Sequence, residues 1–177
     1  MRCVVIGTSG SGKTSFARAL AKARGVSHIE LDSLHWAENW TERSTEDFIA
    51  GVEAASAGSD WVADGNYSAI RHVLWPRATD IVWLNYGRAT VFSRILRRTL
   101  VRMVTQQELW AGNRESFRKT FLSRDSVLLW SFTTFGKNRV KYATLRSSGD
   151  FPHLRWHEFQ HPRQAAEFVR AAETAST

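Results

Sequence analysis

The chain has 177 residues, of which 43% are hydrophobic, and a formal net charge of +7. This length favours one domain with a folded core, and no apolar run approaches the roughly 18 residues of a membrane span. The single cysteine, Cys3, excludes an intrachain disulfide or a cysteine-based metal cluster. A core thiol is typical of a reducing compartment, so we expect a cytoplasmic protein without a signal peptide.

The first predicted elements are a strand over 2–6 and a helix after residue 13. The strand is rich in β-branched residues, and the helix repeats apolar side chains at helical spacing. Between them, Gly7 is followed by four residues and then by Gly12-Lys13-Thr14, which is the spacing of a phosphate-binding loop. The residues that we expect to surround a nucleotide are Gly7, Ser9, Gly10, Ser11, Gly12, Lys13, Thr14 and Ser15.

The chemistry of this loop follows from its residue types. Glycine lets the backbone approach phosphate oxygens closely, and the loop amides with the positive end of the next helix surround the β- and γ-phosphates. Lys13 adds a charge on the terminal phosphates, and the Thr14 hydroxyl can bind Mg²⁺. The alternative is a strand-to-helix turn without a ligand. Because the motif lies between a strand and a helix, we expect ATP and Mg²⁺ to bind here.

Strands and helices then alternate along the chain. This alternation predicts an α/β fold in three layers, a parallel sheet with helices on both faces. Ligands of such sheets bind at the carboxyl ends of the strands. The further strands are predicted at 26–31, 60–64, 80–85 and 154–159, and the helices at 45–57, 89–104 and 163–173.

Two aspartates follow predicted strands at the carboxyl edge of the sheet. At Asp32 a carboxylate can bind a substrate hydroxyl or act as a base, and the alternative is the cap of a short helix. Asp64 ends the third strand, as does the carboxylate that orients Mg²⁺ in phosphate-loop proteins, and the alternative is a turn residue. We expect Asp32 to be catalytic and Asp64 to bind the metal, whereas Asp80 precedes its strand and is expected to be structural.

The helix at 89–104 carries a row of arginines without intervening acids. Arg94 and Arg98 are one helical turn apart, with Arg102 on the same face and Arg97 beside it. Arginine donates hydrogen bonds in a planar fork that suits phosphate oxygens. We expect Arg94 and Arg98 to be catalytic, and the alternative is a solvated helix face.

A long insertion at about 105–150 separates this helix from the last strand. We expect short helices at 113–123 and 125–133, followed by a basic loop. An insertion of this size is typically a lid over an active site. The basic residues of the loop are Lys137, Arg139 and Lys141, and the candidate catalytic residues of the lid are Arg114 and Arg118.

The charge of the chain is concentrated around this insertion. Residues 88–146 hold thirteen Arg and Lys against three acids, a net charge of +10. Cations interleaved with aromatic residues also suit single-stranded nucleic acid. The insertion is therefore either a lid that closes over phosphate or a surface that binds nucleic acid, and the sequence leaves both alternatives.

Several stretches, in this order, resemble the adenylate kinase-like branch of phosphate-loop kinases. Within that branch the chain is most similar to small bacterial proteins labelled topology modulation proteins, or adenylate kinase and related kinases. The stretches are GTSGSGKT, LDSLHW, WVADGNYS, RILRR and HPRQAAEF.

We expect a single domain over 1–177 with a helical lid at about 105–150, and the resemblance implies a five-stranded parallel sheet in the order 2-3-1-4-5. It implies that Arg94 and Arg98 match lid-hinge arginines on the nucleotide phosphates. It also implies that the loop containing Arg163 lies beside the adenine.

The chain departs from adenylate kinases where those enzymes bind AMP. Their Thr-Gly-Asp-Leu-Leu-Arg pattern is absent, and their Asp-Gly-Phe-Pro-Arg pattern is replaced, with the nearest arginine at Arg71. Trp36 and Trp40 could form an aromatic wall for a ring or a sugar, or they could pack in the core. The sequence does not name the acceptor.

We therefore expect a kinase that transfers the γ-phosphate of ATP to a small molecule, with a nucleotide or a nucleoside among the candidates. Lys13 would neutralise the transferring phosphate, Thr14 and Asp64 would hold Mg²⁺, and Asp32 would orient or deprotonate the acceptor. The alternative is an ATP-binding, nucleic-acid-associated protein with weak or no transfer chemistry.

Overall fold

Five parallel strands form one sheet in the order β2-β3-β1-β4-β5. The structure, a computed structural model, describes residues 1–105 and 127–175. The observed strand order confirms the predicted fold and places β3 beside β1, so that Val5 pairs with Asp64. The strands are β1 (Arg2–Gly7), β2 (Ser27–Glu30), β3 (Trp61–Asp64), β4 (Asp80–Leu84) and β5 (Arg155–Phe159).

Helices connect these strands, and two of them have well-formed ends. Gly25 ends the first helix with a left-handed backbone, φ 63°. The Ser44 hydroxyl caps the third helix by accepting a hydrogen bond from the Asp47 amide at 3.0 Å. The helices in the described residues are α1 (Lys13–Arg24), α2 (Leu31–His35), α3 (Thr45–Ala55), α4 (Arg71–Leu74), α5 (Arg88–Thr105), α6 (Val127–Ser147) and α7 (Pro162–Thr174), with a 3-10 turn at Glu38–Trp40.

The core lies on both faces of the sheet, because alternate residues of each strand point to opposite sides. In β1, Val4 and Ile6 pack on one face, and Cys3 and Val5 pack on the other. Side chains of α3 and α4 cover the first face, and side chains of α1, α5 and α7 cover the second. The three-layer arrangement is therefore as predicted. Among the described helices, none combines the length and apolar character that crossing a bilayer requires.

Helix α6 corrects one prediction. The expected basic loop through Lys137, Arg139 and Lys141 is wrong, because these residues lie within a continuous helix. Phe135 packs in the core of one face and Tyr142 in the core of the other, so the helix is anchored at two points. The helix predicted at 113–123 lies outside the described residues.

At the amino edge of the sheet, Asp80 is buried and joins β4 to β5. Its carboxylate accepts hydrogen bonds from Arg155 at 3.0 and 3.1 Å and from the Thr79 hydroxyl at 2.7 Å, and it lies 2.8 Å from the His157 ring. Burial alone would raise the pKa of Asp80, but the hydrogen bonds from these three side chains outweigh burial and hold the pKa below its usual range. The residue is structural in position, as expected.

Cys3 lies next to this group, since it pairs with Asp80 across β1 and β4. Its side chain is fully buried. Burial raises the pKa of the Cys3 thiol, and the charge of Asp80 raises it further. The thiol is therefore protonated at neutral pH.

Candidate functional site

A cleft of about 1100 Å³ lies at the carboxyl edge of the sheet. It is bounded by the phosphate-binding loop, by α1 and α5, and by the first two turns of α7. Its lining brings together most of the predicted site residues, which are distant in the sequence. These are Ser9, Gly10, Gly12, Lys13, Thr14, Ser15, Asp32, Arg94 and Arg98.

The phosphate-binding loop requires glycine at two positions. Gly10 and Gly12 have φ angles of 81° and 88°, in the left-handed region. A Cβ atom on Gly10 would lie 2.2 Å from Cγ1 of Ile95, so a larger residue would displace α5. Gly12 immediately precedes the first turn of α1, whose free amides favour an anion.

Lys13 is folded back onto the loop. Its ammonium donates to the Gly7 carbonyl at 3.1 Å and to the Thr8 carbonyl at 3.4 Å. Burial lowers the pKa of Lys13, and the charges of Asp32 and Asp64 oppose this shift. The lysine therefore lies within the field of both predicted functional carboxylates.

Thr14 and Asp64, the two predicted metal ligands, are in direct contact. The Thr14 hydroxyl donates to Oδ2 of Asp64 at 2.7 Å. The other oxygen, Oδ1, lies 2.7 Å from Nε2 of His28 on β2. The carboxylate is only 3% exposed, so these two neighbours fix its orientation. The contact of His28 with Asp64 is not predicted from the sequence, because the two residues are 36 positions apart and no motif includes His28.

This pair fits a magnesium ion that is shared with a nucleotide. The described residues contain no group of three or more His, Cys, Asp and Glu side chains that could hold a metal. Mg²⁺ is, however, commonly bound by one or two protein oxygens together with substrate phosphates and water. A hydroxyl and a carboxylate beside a phosphate-binding loop are donors of this kind.

Asp32, on α2, is held by a tyrosine. The Tyr67 hydroxyl donates to Oδ1 of Asp32 at 2.6 Å. Burial raises the pKa of Tyr67, and the negative charge of Asp32 raises it further, so the phenol is a hydrogen-bond donor at neutral pH. The Tyr67 ring packs against His35 and Phe48, with centroids 4.6 and 5.0 Å apart.

Asn66 joins the loop after β3 to the phosphate-binding loop. Its side-chain amide donates to the Gly7 carbonyl at 2.5 Å, and its oxygen accepts from the Gly7 amide at 3.2 Å. Two hydrogen bonds to one residue fix both the position and the orientation of the loop entrance. Neither Asn66 nor Tyr67 was predicted, since each contact depends on the fold.

The predicted site arginines differ in their position relative to the cleft. Arg94 donates from Nη1 to the Ser11 carbonyl at 2.8 Å and lies 5.1 Å above the Tyr86 ring. Arg98 lines the cleft with Arg97. Arg163 is exposed at the start of α7 and is not part of the cleft lining, which α7 contributes through Pro162, Ala165, Ala166 and Val169. Arg114 and Arg118 lie outside the described residues.

Helix α6 contacts two loops of the site. The Asn138 side chain donates to the Thr8 hydroxyl at 3.2 Å. One turn later, the Lys141 ammonium donates to the Ser68 hydroxyl at 2.9 Å. The helix therefore connects the phosphate-binding loop with the loop after β3.

The two tryptophans considered for an acceptor wall lie in an aromatic cluster beside Asp32. The Trp36 and Trp40 rings are 5.7 Å apart in an edge-on arrangement, and Trp36 also contacts His35 at 4.8 Å. Neither tryptophan lines the nucleotide cleft. Both readings, packing and acceptor binding, stay predictions.

One protein-family model matches the amino-terminal part of the chain. A model of the ATPase family associated with various cellular activities (AAA) matches residues 3–74, which contain the phosphate-binding loop and Asp64. The fold is that of a P-loop NTPase. No curated protein matches the chain significantly.

Two solved structures are similar in fold to this chain over almost its whole length. A gluconokinase from Sinorhizobium meliloti has a TM-score of 0.50 and 21% identity, over 98% of this chain and 90% of that one. A sugar kinase from Janibacter sp. has a TM-score of 0.50 and 21% identity, over 99% of this chain and 97% of that one. This chain is thus similar in fold to two small-molecule kinases.

Proposed function

We propose that this protein is a Mg²⁺-dependent phosphotransferase that moves the γ-phosphate of ATP to a hydroxyl group of a small molecule. The observation that carries the proposal is the 2.7 Å contact between Thr14 and Asp64, with Lys13 and Asp32 lining the same cleft. Asp32, the second carboxylate, favours transfer over ATP binding alone, because phosphoryl-transfer sites use a residue that orients the attacking hydroxyl.

The phosphate-binding loop and α1 would hold the triphosphate through backbone amides. Lys13 contacts two loop carbonyls, and phosphate oxygens would replace these carbonyls as acceptors of its hydrogen bonds. Burial lowers the pKa of Lys13, so a nearby anion would stabilise the charged ammonium.

Thr14 and Asp64 would hold the magnesium ion together with phosphate oxygens. When it is bound, the ion neutralises charge on the β- and γ-phosphates. His28 keeps the Asp64 carboxylate in one orientation through its second oxygen, as outer groups do at metal sites.

Asp32 would accept the proton of the acceptor hydroxyl. The acceptor oxygen then forms a bond to the γ-phosphorus, the bond from that phosphorus to the bridging oxygen breaks, and ADP leaves with the electron pair. Tyr67 occupies one oxygen of Asp32 and leaves the other for the acceptor. Geometry of this kind, rather than covalent chemistry, is what phosphoryl transfer requires of a protein.

Arg94 and Arg98 would stabilise the charge that develops on the transferring phosphoryl group. Arg94 is supported for this role by its contacts with Ser11 and Tyr86 at the edge of the loop. Arg114 and Arg118 as lid residues are a further proposal that rests on the length and charge of the insertion. Arg163 beside the adenine is a proposal that rests on the resemblance to adenylate kinases.

The adenylate kinase-like character and a nucleotide or nucleoside acceptor belong to the same proposal. The order of the matching stretches and the strand order of the sheet support the adenylate kinase-like character, whereas the nucleotide or nucleoside acceptor rests on that resemblance alone. The alternative of a nucleic-acid-associated protein has no support from the matching family or from the similar structures.

The test is release of ADP from ATP and Mg²⁺ in the presence of a panel of nucleosides, nucleotides, sugars and hydroxy acids. We expect one acceptor class to raise the rate well above the rate with water. Lys13→Ala and Asp32→Asn should each lower that rate by about 10²–10⁴-fold, whereas the exposed Lys22→Ala on α1 should not change it. A rate that no acceptor raises, or that Lys13→Ala leaves unchanged, would contradict the proposal.

A further inference from the structure

Two cations lie beside the loop that follows β3. Arg71 begins α4, and its guanidinium lies 5.1 Å above the Trp75 ring. Lys141, on α6, donates to the Ser68 hydroxyl at 2.9 Å. Both side chains are half-buried. The Arg71 amide also donates to the Ser68 carbonyl at 3.3 Å, so two residues that are 70 positions apart in the sequence both contact Ser68.

The two charges influence each other. Burial lowers the pKa of Lys141, and the charge of Arg71 lowers it further. The same guanidinium acts on the buried Tyr142 beside Lys141: burial raises the pKa of Tyr142, and the charge of Arg71 opposes that rise. The guanidinium itself lies against the buried Trp75 ring rather than in open solvent.

Neither cation forms an ion pair with a carboxylate of the described residues. Other arginines of the described chain do, such as Arg146 with Glu158 at 2.9 Å and Arg155 with Asp80 at 3.0 Å. Charges that are partly withdrawn from water without a counter-charge are unfavourable. An anionic group bound between Arg71 and Lys141 would supply that counter-charge.

The position of the pair relates it to the acceptor. Ser68, which Lys141 contacts, directly follows Tyr67, whose hydroxyl holds Asp32. Arg71 and Lys141 do not line the nucleotide cleft, so they are not placed to hold ATP. Their connection to Asp32 is through Ser68 and the adjacent Tyr67.

We propose that Arg71 and Lys141, with the Ser68 hydroxyl, form a subsite for an anionic group of the acceptor, a phosphate ester or a carboxylate. The proposal rests on the kinase function above and makes it more specific, since the acceptor then carries both a hydroxyl and an anion. The arginine fork can donate two hydrogen bonds to either anion, and the lysine adds a point charge.

The test is direct binding of simple anions. Inorganic phosphate and acetate are titrated separately, by calorimetry, into protein saturated with Mg²⁺ and a non-hydrolysable ATP analogue that occupies the phosphate-binding loop. We expect at least one anion to bind with one-to-one stoichiometry, and the anion that binds distinguishes a phosphate ester from a carboxylic acid. Arg71→Gln and Lys141→Gln should each weaken binding about 10- to 100-fold.

Matched variants separate the subsite from general charge effects. Lys22→Gln and Arg170→Gln remove exposed cations from α1 and α7 and should leave anion binding unchanged. Lys141→Arg should restore most of the binding lost in Lys141→Gln, and thermal unfolding checks that each variant is folded. The subsite is refuted if the wild-type protein binds neither anion, or if both Gln variants bind as tightly as the wild type.

This result is independent of the kinase test. If the ATP analogue does not bind, the proposed function fails, and the anion titrations are repeated on Lys13→Ala protein, which has a weakened phosphate loop. If ATP and an acceptor react but neither anion binds, only the subsite fails. In the acceptor panel, the Gln variants should raise KM for the anionic acceptor with a smaller effect on kcat.

Discussion

Three side chains within four residues contact three different parts of the site. Asp64 binds Thr14, Asn66 binds the backbone of Gly7, and Tyr67 binds Asp32. The end of β3 and the short loop after it therefore fix the positions of Thr14, the phosphate-binding loop and Asp32 relative to one another. A displacement of this loop would disturb all three.

Tyr67 gives a sharp test of this arrangement. Tyr67→Phe keeps the ring among its aromatic neighbours but removes the hydrogen bond to Asp32. We expect kcat to fall about 10- to 100-fold, because Asp32 is less well oriented, while the dissociation constant of ATP changes little. Steady-state kinetics and fluorescence of a labelled nucleotide measure the two quantities.

The control for this variant is Tyr142→Phe. Its hydroxyl is buried without a hydrogen-bond partner among the described residues, so its removal should leave kcat near the wild-type value. Equal losses in the two variants would mean that the effect of Tyr67 is one of packing rather than of orienting Asp32.

At the residue scale, the sequence predicts what motifs encode and misses what the fold brings together. Lys13, Thr14 and Asp64 follow from spacing and from strand ends. Tyr67 and Asn66 lie 35 and 59 residues from their partners. No local pattern can reveal such pairs, because the contact depends on the strand order.

At the scale of elements, α6 shows how an apparently loop-like segment becomes a helix. Phe135 and Tyr142 are seven residues apart and share one face of the helix, yet they pack in core clusters on opposite sides of the sheet. The six residues between these anchors are glycine, polar or charged apart from the exposed Val140, so the apolar stripe is too sparse there to predict a helix. The cations between these two anchors then resemble a solvated loop.

A proline substitution distinguishes the helix from the loop. Val140 is 68% exposed within α6, so Val140→Ala should change the free energy of unfolding by no more than about 0.5 kcal/mol. Val140→Pro removes a backbone hydrogen bond and should cost about 3 kcal/mol. Urea unfolding measures both. Equal stability of the two variants would indicate that residues 137–141 are not helical.

The pairing of β4 with β5 depends on Asp80 and predicts a pH dependence. The pKa of Asp80 is lower in the folded than in the unfolded chain. The ionised carboxylate therefore stabilises the fold fully above the ordinary Asp pKa of about 3.9, and this stabilisation is lost as the pH falls through the folded pKa. Asp80→Asn should lower the free energy of unfolding at neutral pH by about 1–3 kcal/mol. In acid, the variant should then lose less of its remaining stability than the wild type does.

The measurement is the free energy of unfolding in urea from neutral pH to about pH 2. Asp150→Asn is the matched control, since Asp150 is exposed and forms no ion pair with a described residue. An acid-induced loss that is equally steep in wild type and Asp80→Asn would contradict the role of this carboxylate.

At the scale of the whole molecule, the fold was the most predictable feature. Runs of β-branched residues such as Cys3-Val4-Val5-Ile6 are buried on both faces, as parallel strands require. Alternation with helices then gives three layers, but alternation does not give the strand order. That order came from the resemblance to adenylate kinases, and the observed sheet confirms it.

The buried thiol of Cys3 has a practical consequence. It is the only cysteine of the chain, it is inaccessible, and it is protonated at neutral pH, so a maleimide or nitroxide reagent will not label it. A cysteine introduced at the exposed Val140 would then be the sole reactive thiol. The wild-type sequence therefore serves directly as the unlabelled background for spectroscopic study of α6 during nucleotide binding.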